Sequence, residues 1–218
     1  MKNLLLVLAF LCACSAYAQP LAKKKKPSKK DHLITITTEF GLIRAILYED
    51  TPVHKANFIK LATEGFYDST TFHRVLKRFV IQGGDPNTKP GNNQLGQPGT
   101  GGPGYTLEAE IRPEHKHEKG VLAAARQGDA INPERRSSGS QFYIVQADEG
   151  TPHLDNQYTV FGKVVAGMDI VDAIADQKVN RQGLPEEPIY MTVKAELMKK
   201  KDITKMVGYE YPELQKRK

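Results

Sequence analysis

The chain has 218 residues, of which 39% are hydrophobic and 26% charged, a balance that excludes an intrinsically disordered protein and a membrane-embedded one. Its formal net charge is +6, but residues 1–30 and 199–218 together hold 14 of the 31 basic residues and only 3 of the 25 acidic ones. The body between these ends has a net charge of −5, which argues against a dedicated nucleic-acid-binding protein.

The N-terminus predicts an export signal over residues 1–18. One lysine precedes an apolar run from Leu4 to Leu11, too short for the roughly 20-residue helix that spans a bilayer. Two processing routes remain open. Ala16-Tyr17-Ala18 is a small-x-small site for signal peptidase, whereas Leu11-Cys12-Ala13-Cys14 resembles a lipobox that would make Cys14 a lipidated first residue. We therefore expect a periplasmic protein, or an envelope lipoprotein that contacts the membrane only if Cys14 is lipidated.

Two basic segments flank the body of the chain. A lysine-rich linker is predicted over residues 19–32 as a solvated spacer, and contact with an anionic membrane surface is the alternative. A basic tail over residues 199–218 is expected to be loosely docked. Both cysteines lie within residues 1–18, so no disulfide is expected in the rest of the chain.

The body, residues 33–198, is predicted to contain many short strands and two helices. The first helix opens at Thr51-Pro52, with Thr51 as its N-cap, and ends at Gly65; the second covers Met168–Asp176. The first helix is expected to bury Val53, Ala56, Ile59 and Ala62. The predicted strands are Leu33–Thr38, Leu42–Tyr48, Phe79–Gln82, Val121–Ala125, Ser140–Gln146, Thr159–Val165 and Ile189–Leu197. This pattern favours a closed antiparallel barrel with capping helices.

Two motifs point to chemistry that their context does not support. Gly99-x-Gly101-x-x-Gly104 matches a dinucleotide-binding fingerprint, but it lies in the Pro/Gly-rich segment Asp85–Gly104 instead of between a strand and a helix. His115 and His117 alternate beside Glu114 and Glu118, a stretch that reads as a solvated turn instead of a metal site. We expect neither a metal nor a cofactor.

Four other segments carry a denser pattern. Residues 72–85 contain F-H-R followed by F-x-x-Q-G-G-D, and residues 120–126, 138–144 and 154–162 add further motifs. Together they resemble the cyclophilin family of peptidyl-prolyl cis-trans isomerases, over roughly Leu33 to Leu197. The resemblance implies a mainly β fold, a closed eight-stranded antiparallel barrel capped by two helices. It also implies an enzyme that rotates X-Pro peptide bonds. A monomer is the default expectation, and the expected partners are proline-containing unfolded or exported polypeptides.

The resemblance further implies which residues form the site. Arg74 and Gln82 fall on the catalytic positions, and Ala125 and Arg126 on a strand whose main chain pairs with the peptide. The full set of expected substrate-binding residues is Phe79, Val80, Ala125, Arg126, Phe142, Tyr143, Leu154 and Tyr158. His73 is expected to be structural, because rotation of a peptide bond requires no proton transfer.

Several positions depart from the family's common residues. Tyr158 stands in place of a His, Arg126 in place of an Asn, Val80 in place of a Met, and His153 in place of the Trp associated with tight cyclosporin binding. These differences favour a bacterial member with weak cyclosporin sensitivity. A proline-binding chaperone module with little turnover is the alternative function.

Overall fold

The computed structural model describes residues 28–92 and 96–212. The predicted signal segment, both cysteines and most of the lysine-rich linker lie outside these residues. The described strands are β1 (Lys30–Thr38), β2 (Gly41–Leu47), β3 (Thr70–Leu76), β4 (Val80–Gly83), β5 (Thr106–Leu107), β6 (Val121–Ala124), β7 (Ser137–Ser138), β8 (Phe142–Val145), β9 (Val160–Ala166) and β10 (Tyr190–Lys199). The α-helices among these residues are α1 (Pro52–Thr63), α2 (Met168–Ala175) and α3 (Lys200–Val207).

Eight strands close into an antiparallel barrel in the order β1-β10-β3-β4-β8-β6-β9-β2, which confirms the predicted fold. Strands β5 and β7 form a separate two-stranded sheet. Closure pairs both edges of every barrel strand, so the barrel itself has no open edge. None of the helices within the described ranges is long and apolar enough to span a membrane.

The barrel interior is filled by every second residue of its strands, as the period of a strand requires. These inward-facing side chains are almost completely shielded from solvent: Ile34, Ile36, Ile43, Phe72, Ile81, Leu122, Phe142 and Ile144. A second apolar cluster, which includes Val80, Ala123 and Tyr143, covers the outer face of the barrel. The two clusters use alternate residues of the same strands.

Most predicted strands lie within three residues of the observed ones, but β3 was not predicted. Its sequence, TTFHRVL, lacks strict alternation of apolar and polar residues because both of its faces are largely covered. A β-bulge between Phe72 and Arg74 also breaks its register with β4. Irregular strands of this kind give no clear period-two signal.

The predicted buried face of helix α1 is right for Ala62 and for Ile59, which packs against the core, but wrong for Val53 and Ala56, which are exposed. Its buried residues are His54, Phe58, Leu61 and Ala62, whereas Val53 is 48% exposed. Phe58 packs edge-on against Phe142 in the barrel, with ring centres 5.4 Å apart. An aromatic ring buries more apolar area than the smaller side chains of the predicted face, so burying Phe58 is favoured.

The start of α1 is capped by a distant carboxylate instead of by Thr51. The Thr51 side chain makes no capping hydrogen bond. The Glu110 carboxylate accepts from the main-chain N–H groups of Val53, at 3.1 Å, and His54, at 2.9 Å. A carboxylate at this position satisfies two free N–H groups and interacts favourably with the helix dipole.

The described parts of the predicted linker and tail, residues 28–32 and 199–212, are more ordered than the sequence predicted. Strand β1 begins at Lys30, inside the predicted linker, and pairs with the last strand up to Lys199. The tail is not loosely docked: it forms α3, whose Ile203 is fully buried beside Leu33 on the outer face of the barrel. Downstream, the Tyr211 hydroxyl lies 3.2 Å from Asp31 Oδ2 in β1. The sequence analysis did not predict α3, because the segment is highly charged and has few apolar residues.

Candidate active site

The candidate site lies on the outer face of the barrel, where four neighbouring strands bring polar and apolar side chains into one row. Arg74 of β3 pairs with Gln82 of β4, Gln82 pairs with Tyr143 of β8, and Tyr143 pairs with Ala123 of β6. Paired residues of adjacent strands point to the same face of a sheet. The bulge after Phe72 matters here, because it turns Arg74 outward although Phe72, two residues earlier, points into the core.

Nine of the ten predicted site residues line a single pocket of about 250 Å³. They are Arg74, Phe79, Val80, Gln82, Ala125, Arg126, Tyr143, Leu154 and Tyr158. The tenth, Phe142, was wrongly placed in the substrate site. It adjoins Tyr143 on β8 and therefore points the opposite way, into the barrel, where only 1% of it is exposed.

Arg74 stands at the edge of this pocket with its charge available. Its guanidinium carbon lies 5.7 Å from the centre of the Phe79 ring. No described carboxylate lies within ion-pair distance of Arg74, whereas Arg126 pairs with Asp129 and Arg136 lies 3.8 Å from Glu108. A guanidinium beside an aromatic wall can donate hydrogen bonds to a ligand in the pocket.

The amide of Gln82 is oriented by a second glutamine that sequence reasoning did not assign to the site. Gln82 Nε2 donates to Gln141 Oε1 at 3.1 Å, and Gln141 Nε2 donates to the Gly101 carbonyl at 2.7 Å. Gln141 lies one residue before β8 and is buried. Because its own amide is fixed by Gly101, it leaves the Gln82 carbonyl oxygen for a ligand.

The main chain of Ala125 is not available for peptide pairing, contrary to the prediction. Its N–H donates to the Gln141 carbonyl at 3.0 Å, and its carbonyl accepts from the Ser138 N–H at 2.8 Å. In the part of the chain that the structure describes, no group hydrogen-bonds the main-chain N–H or carbonyl of Arg126. Arg126 alone of the predicted pair can therefore offer its main chain to a peptide.

The Arg126 side chain supports the pocket wall. Its guanidinium packs over the Tyr158 ring at 4.6 Å and its Nε donates to the Gln157 carbonyl at 3.0 Å. The Tyr158 ring meets the Tyr143 ring edge-on, with centres 5.9 Å apart. These contacts build an aromatic wall opposite Arg74 and Phe79.

Known proteins that match the chain decide its family. The model of the cyclophilin type peptidyl-prolyl cis-trans isomerase/CLD family matches residues 33–195. The peptidyl-prolyl cis-trans isomerase B of Bacillus subtilis is 43% identical over 135 residues, which are 62% of this chain and 82% of that protein. The chain belongs to the cyclophilin family.

Other relatives agree with this assignment. The peptidyl-prolyl cis-trans isomerase of Helicobacter pylori is 37% identical over 155 residues, covering 69% of this chain and 85% of that protein. A crystal structure of a Cryptosporidium parvum cyclophilin superposes with a TM-score of 0.66 at 28% identity, over 76% of this chain and 98% of that one. A second crystal structure of that protein was determined in the presence of the dipeptide Ala-Pro. This cyclophilin is accordingly a peptidyl-prolyl cis-trans isomerase, as predicted.

One departure from the family pattern has a visible role in this cyclophilin. His153, which replaces a Trp, lies in a short 3₁₀ helix, Pro152–Leu154, and stacks on Phe79 at 5.6 Å with an angle of 13° between the rings. A flat ring at position 153 therefore still covers the Phe79 side of the pocket, but it buries less area than an indole.

His117 corrects another prediction. It is not in a solvated turn but 2% exposed, directly behind the pocket of this cyclophilin. Its Nδ1 lies 3.0 Å from Asp155 Oδ1 and its Nε2 lies 2.9 Å from the Tyr143 hydroxyl.

Burial lowers the pKa of His117 although Asp155 opposes this effect. Burial works against the ionised form of Asp155, but hydrogen bonds from His117 still hold the pKa of that carboxyl below its usual value. Burial raises the pKa of Tyr143 far above its usual value, which keeps the phenol neutral.

His73 is buried, as a structural role requires. Burial lowers its pKa, with the Asp85 carboxylate opposing, so the ring is neutral near pH 7. Among the residues that the structure describes, no group of three or more His, Cys, Asp or Glu side chains is arranged to hold a metal ion.

A wider groove opens beside the pocket of this cyclophilin. It encloses about 680 Å³ between the glycine-rich loop, which contributes Gly101 and Tyr105, and the segment from Gln127 to Arg136. It shares Gln82, Ala125 and Arg126 with the pocket. On its rim, Ile131 is 74% exposed. The groove therefore continues the site toward residues outside the family motifs.

Proposed function

We propose that this isomerase binds the proline ring in the pocket and rotates the preceding peptide bond with Arg74 as the catalytic hydrogen-bond donor. Rotation forfeits amide resonance, at a barrier of about 18–20 kcal/mol, but breaks no σ bond. As the bond twists, the prolyl nitrogen regains its lone pair and becomes an acceptor. A guanidinium that donates to this lone pair stabilises the twisted amide more than the planar one, which is the condition for acceleration.

The other pocket residues lower the rotation barrier further than one hydrogen bond can. Each tenfold acceleration needs about 1.4 kcal/mol, and a hydrogen bond to a charged group contributes roughly 1.5–3 kcal/mol. The apolar walls formed by Phe79, Leu154 and Tyr143 exclude water, which favours the twisted amide because it has less charge separation. Gln82 and the main chain of Arg126 would hold one side of the bond while the other side turns.

The observation that carries this proposal is the cross-strand row that places Arg74, which pairs with no described carboxylate, beside an apolar pocket and opposite Gln82. Its test is cis/trans exchange of an Ala-Pro peptide measured by NMR with wild-type protein, Arg74→Ala and Arg74→Lys. We expect Arg74→Ala to lower kcat/KM at least a hundredfold. For Arg74→Lys we expect a kcat/KM between those of Arg74→Ala and the wild type, because Lys lacks the rigid fork of donors. Unchanged exchange in Arg74→Ala would leave the activity but remove Arg74 from the mechanism.

The family assignment favours turnover over the alternative that the sequence left open, a proline-binding chaperone module with little turnover. The two are separated by measuring peptide affinity and exchange rate on one peptide. Binding of the peptide without faster cis/trans exchange would establish the binding module. Faster exchange at peptide concentrations that occupy the pocket would exclude it.

We propose that the natural substrates are polypeptides that fold after export. Support comes from the sequence of residues 1–18, which lie outside the described part of the structure. The test is mass spectrometry of the protein recovered from cell fractions. The variant Cys14→Ser, which removes the thiol that would be lipidated, is measured beside the wild type. An N-terminus at Gln19 would establish the soluble product, a diacylated Cys14 the lipoprotein, and an unprocessed cytoplasmic chain would contradict the proposal.

A further inference from the structure

We propose that His117, held by Asp155, is a positioning residue that fixes the Tyr143 ring as a wall of the proline pocket. The inference rests on the proposed function, because it takes the Tyr143 ring to contact the substrate proline. His117 lies in the segment between β5 and β6 and does not line the pocket. Its hydrogen bond to the site is made with the Tyr143 hydroxyl, at 2.9 Å, and its ring also meets the Tyr158 ring edge-on.

Asp155 determines which nitrogen of His117 carries the proton. Asp155 Oδ1 already accepts from the main-chain N–H of His117 at 2.8 Å and lies 3.0 Å from its Nδ1. A carboxylate can only accept, so Nδ1 of the neutral ring must carry the hydrogen. Nε2 is then an acceptor, and Tyr143 donates its hydroxyl hydrogen to it. The three groups form a chain of hydrogen bonds in which Tyr143 donates to His117 and His117 donates to Asp155.

These hydrogen bonds satisfy the buried hydroxyl of Tyr143. Its side chain is 4% exposed and lies in an apolar cluster, where an unpaired hydroxyl is costly. Without His117, the hydroxyl would have to draw water behind the pocket or pull the ring out of position. With His117, the hydroxyl is satisfied at the back of the wall, and the ring face remains for proline. The Tyr158 ring, edge-on to both His117 and Tyr143, packs against the same pair.

Protonation of His117 would reverse one bond of the chain. Both ring nitrogens then donate, so the Tyr143 hydroxyl has to accept, and its own hydrogen turns away from His117. The ionisable groups around the ring are Asp155, Lys116, which lies 3.7 Å from Asp155 Oδ2, His153, Tyr143 and Tyr158. Burial places the transition below the usual pKa of histidine. The pocket should therefore be intact at neutral pH and change only in acid.

The test is a double-mutant cycle on kcat/KM for an X-Pro peptide. His117→Leu removes the acceptor, and His117→Gln offers an amide oxygen at a similar place. We expect His117→Leu to lower kcat/KM about tenfold in the wild-type background and His117→Gln to recover most of that loss. In the Tyr143→Phe background, whatever its own rate, the same His117→Leu change should alter kcat/KM less than twofold, because no hydroxyl remains to be held.

A readout without turnover is the ¹⁵N chemical shift of the His117 ring. We expect Nδ1 to be protonated and Nε2 to be an unprotonated acceptor at neutral pH, with Tyr143→Phe shifting Nε2 in particular. The opposite tautomer would overturn the proposal. So would an equal loss of kcat/KM from His117→Leu in both backgrounds, which would show a merely structural role. Thermal unfolding of each variant confirms that it is folded.

Failure of the proposed function gives a different result. If Arg74→Ala leaves exchange unchanged while the His117–Tyr143 coupling and the ¹⁵N shifts are as expected, the catalytic assignment is wrong and the positioning role stands. If Arg74→Ala abolishes exchange and the coupling is absent, only the role of His117 is wrong.

Discussion

At the scale of single residues, the pocket depends on side chains that hold its walls from behind. Gln141 orients the Gln82 amide, Arg126 packs over the Tyr158 ring, and His117 is hydrogen-bonded to the Tyr143 hydroxyl. The sequence motifs contain all nine residues that line the pocket, because the motifs hold these residues at fixed spacing. The supporting residues lie far away in sequence, and only the folded chain brings them to the site. His117 was even interpreted as part of a solvated turn.

The role of Gln141 can be tested directly. Gln141→Leu keeps the size of the side chain but leaves the Gln82 amide free to rotate, and we expect kcat/KM to fall by up to about tenfold, the cost of one hydrogen bond. Exchange spectroscopy on an Ala-Pro peptide measures it. Gln177→Leu is the matched control, because that amide bonds the Ala173 carbonyl within α2. Equal losses in the two variants would contradict a specific role for Gln141.

At the scale of elements, one carboxylate organises the described parts of the glycine-rich segment that follows β4, residues 85–92 and 96–104. Asp85 is completely buried and accepts from the main-chain N–H groups of Asn87 at 2.8 Å, Gly99 at 2.6 Å and Gly101 at 3.0 Å. The sequence marked this segment as unusual but gave no account of its structure. A loop with few apolar residues cannot be ordered by burial, so it is ordered by hydrogen bonds to a charged group.

Removing that carboxylate should release the loop. In Asp85→Ala we expect the amide hydrogens of Gly99 and Gly101 to exchange with solvent at least tenfold faster, because each bond to a charged group contributes roughly 1.5–3 kcal/mol. Hydrogen exchange followed by NMR measures this, and amides of β1 serve as the internal reference. Faster exchange throughout the barrel would show global destabilisation, and unchanged exchange at Gly99 and Gly101 would show that Asp85 does not hold the loop.

At the scale of the whole molecule, the C-terminal segment packs on the first strands of the barrel, and none of its described residues lines the pocket. Ile203 of α3 packs with Leu33 and Ile46, and Tyr211 meets Asp31, whose other oxygen lies 2.7 Å from Lys55 Nζ. The contact links residues 180 positions apart in sequence. The described residues contain no cysteine, so stability in this region comes from packing and from this buried polar group.

We expect Ile203→Ala to lower the free energy of unfolding by roughly 2–5 kcal/mol, the usual cost of an aliphatic truncation in a well-packed site. Tyr211→Phe should cost about 1–3 kcal/mol, since it removes a hydrogen bond to a carboxylate and leaves the ring. Urea denaturation measures both. The exchange activity of the folded variants should match the wild type, and a large loss of activity would show that the tail supports the pocket after all.

The buried histidines predict how stability depends on pH. Burial lowers the pKa values of His54, His73 and His117, so the unfolded chain takes up protons before the folded one does. Stability is therefore full above the usual histidine pKa of about 6.5 and decreases as the pH falls below it, by up to about 1.4 kcal/mol per pH unit for each histidine. Urea denaturation between pH 7.5 and 5 measures the slope. His54→Asn, which retains a donor for Glu110, should reduce the slope, and a flat profile for wild type would contradict the expectation.

The sequence by itself determined the barrel class, the family and nine of the pocket residues, because strand periodicity and motif spacing are local properties of the chain. Only the tertiary structure decided which neighbour faces the substrate. Phe142 points into the core and Tyr143 into the pocket because successive residues of a strand alternate. Arg74 points outward because a bulge after Phe72 changes that alternation. The Glu110 cap of α1, the packed C-terminal helix and the His117–Tyr143 bond likewise join distant segments, and such contacts exist only once the barrel has closed.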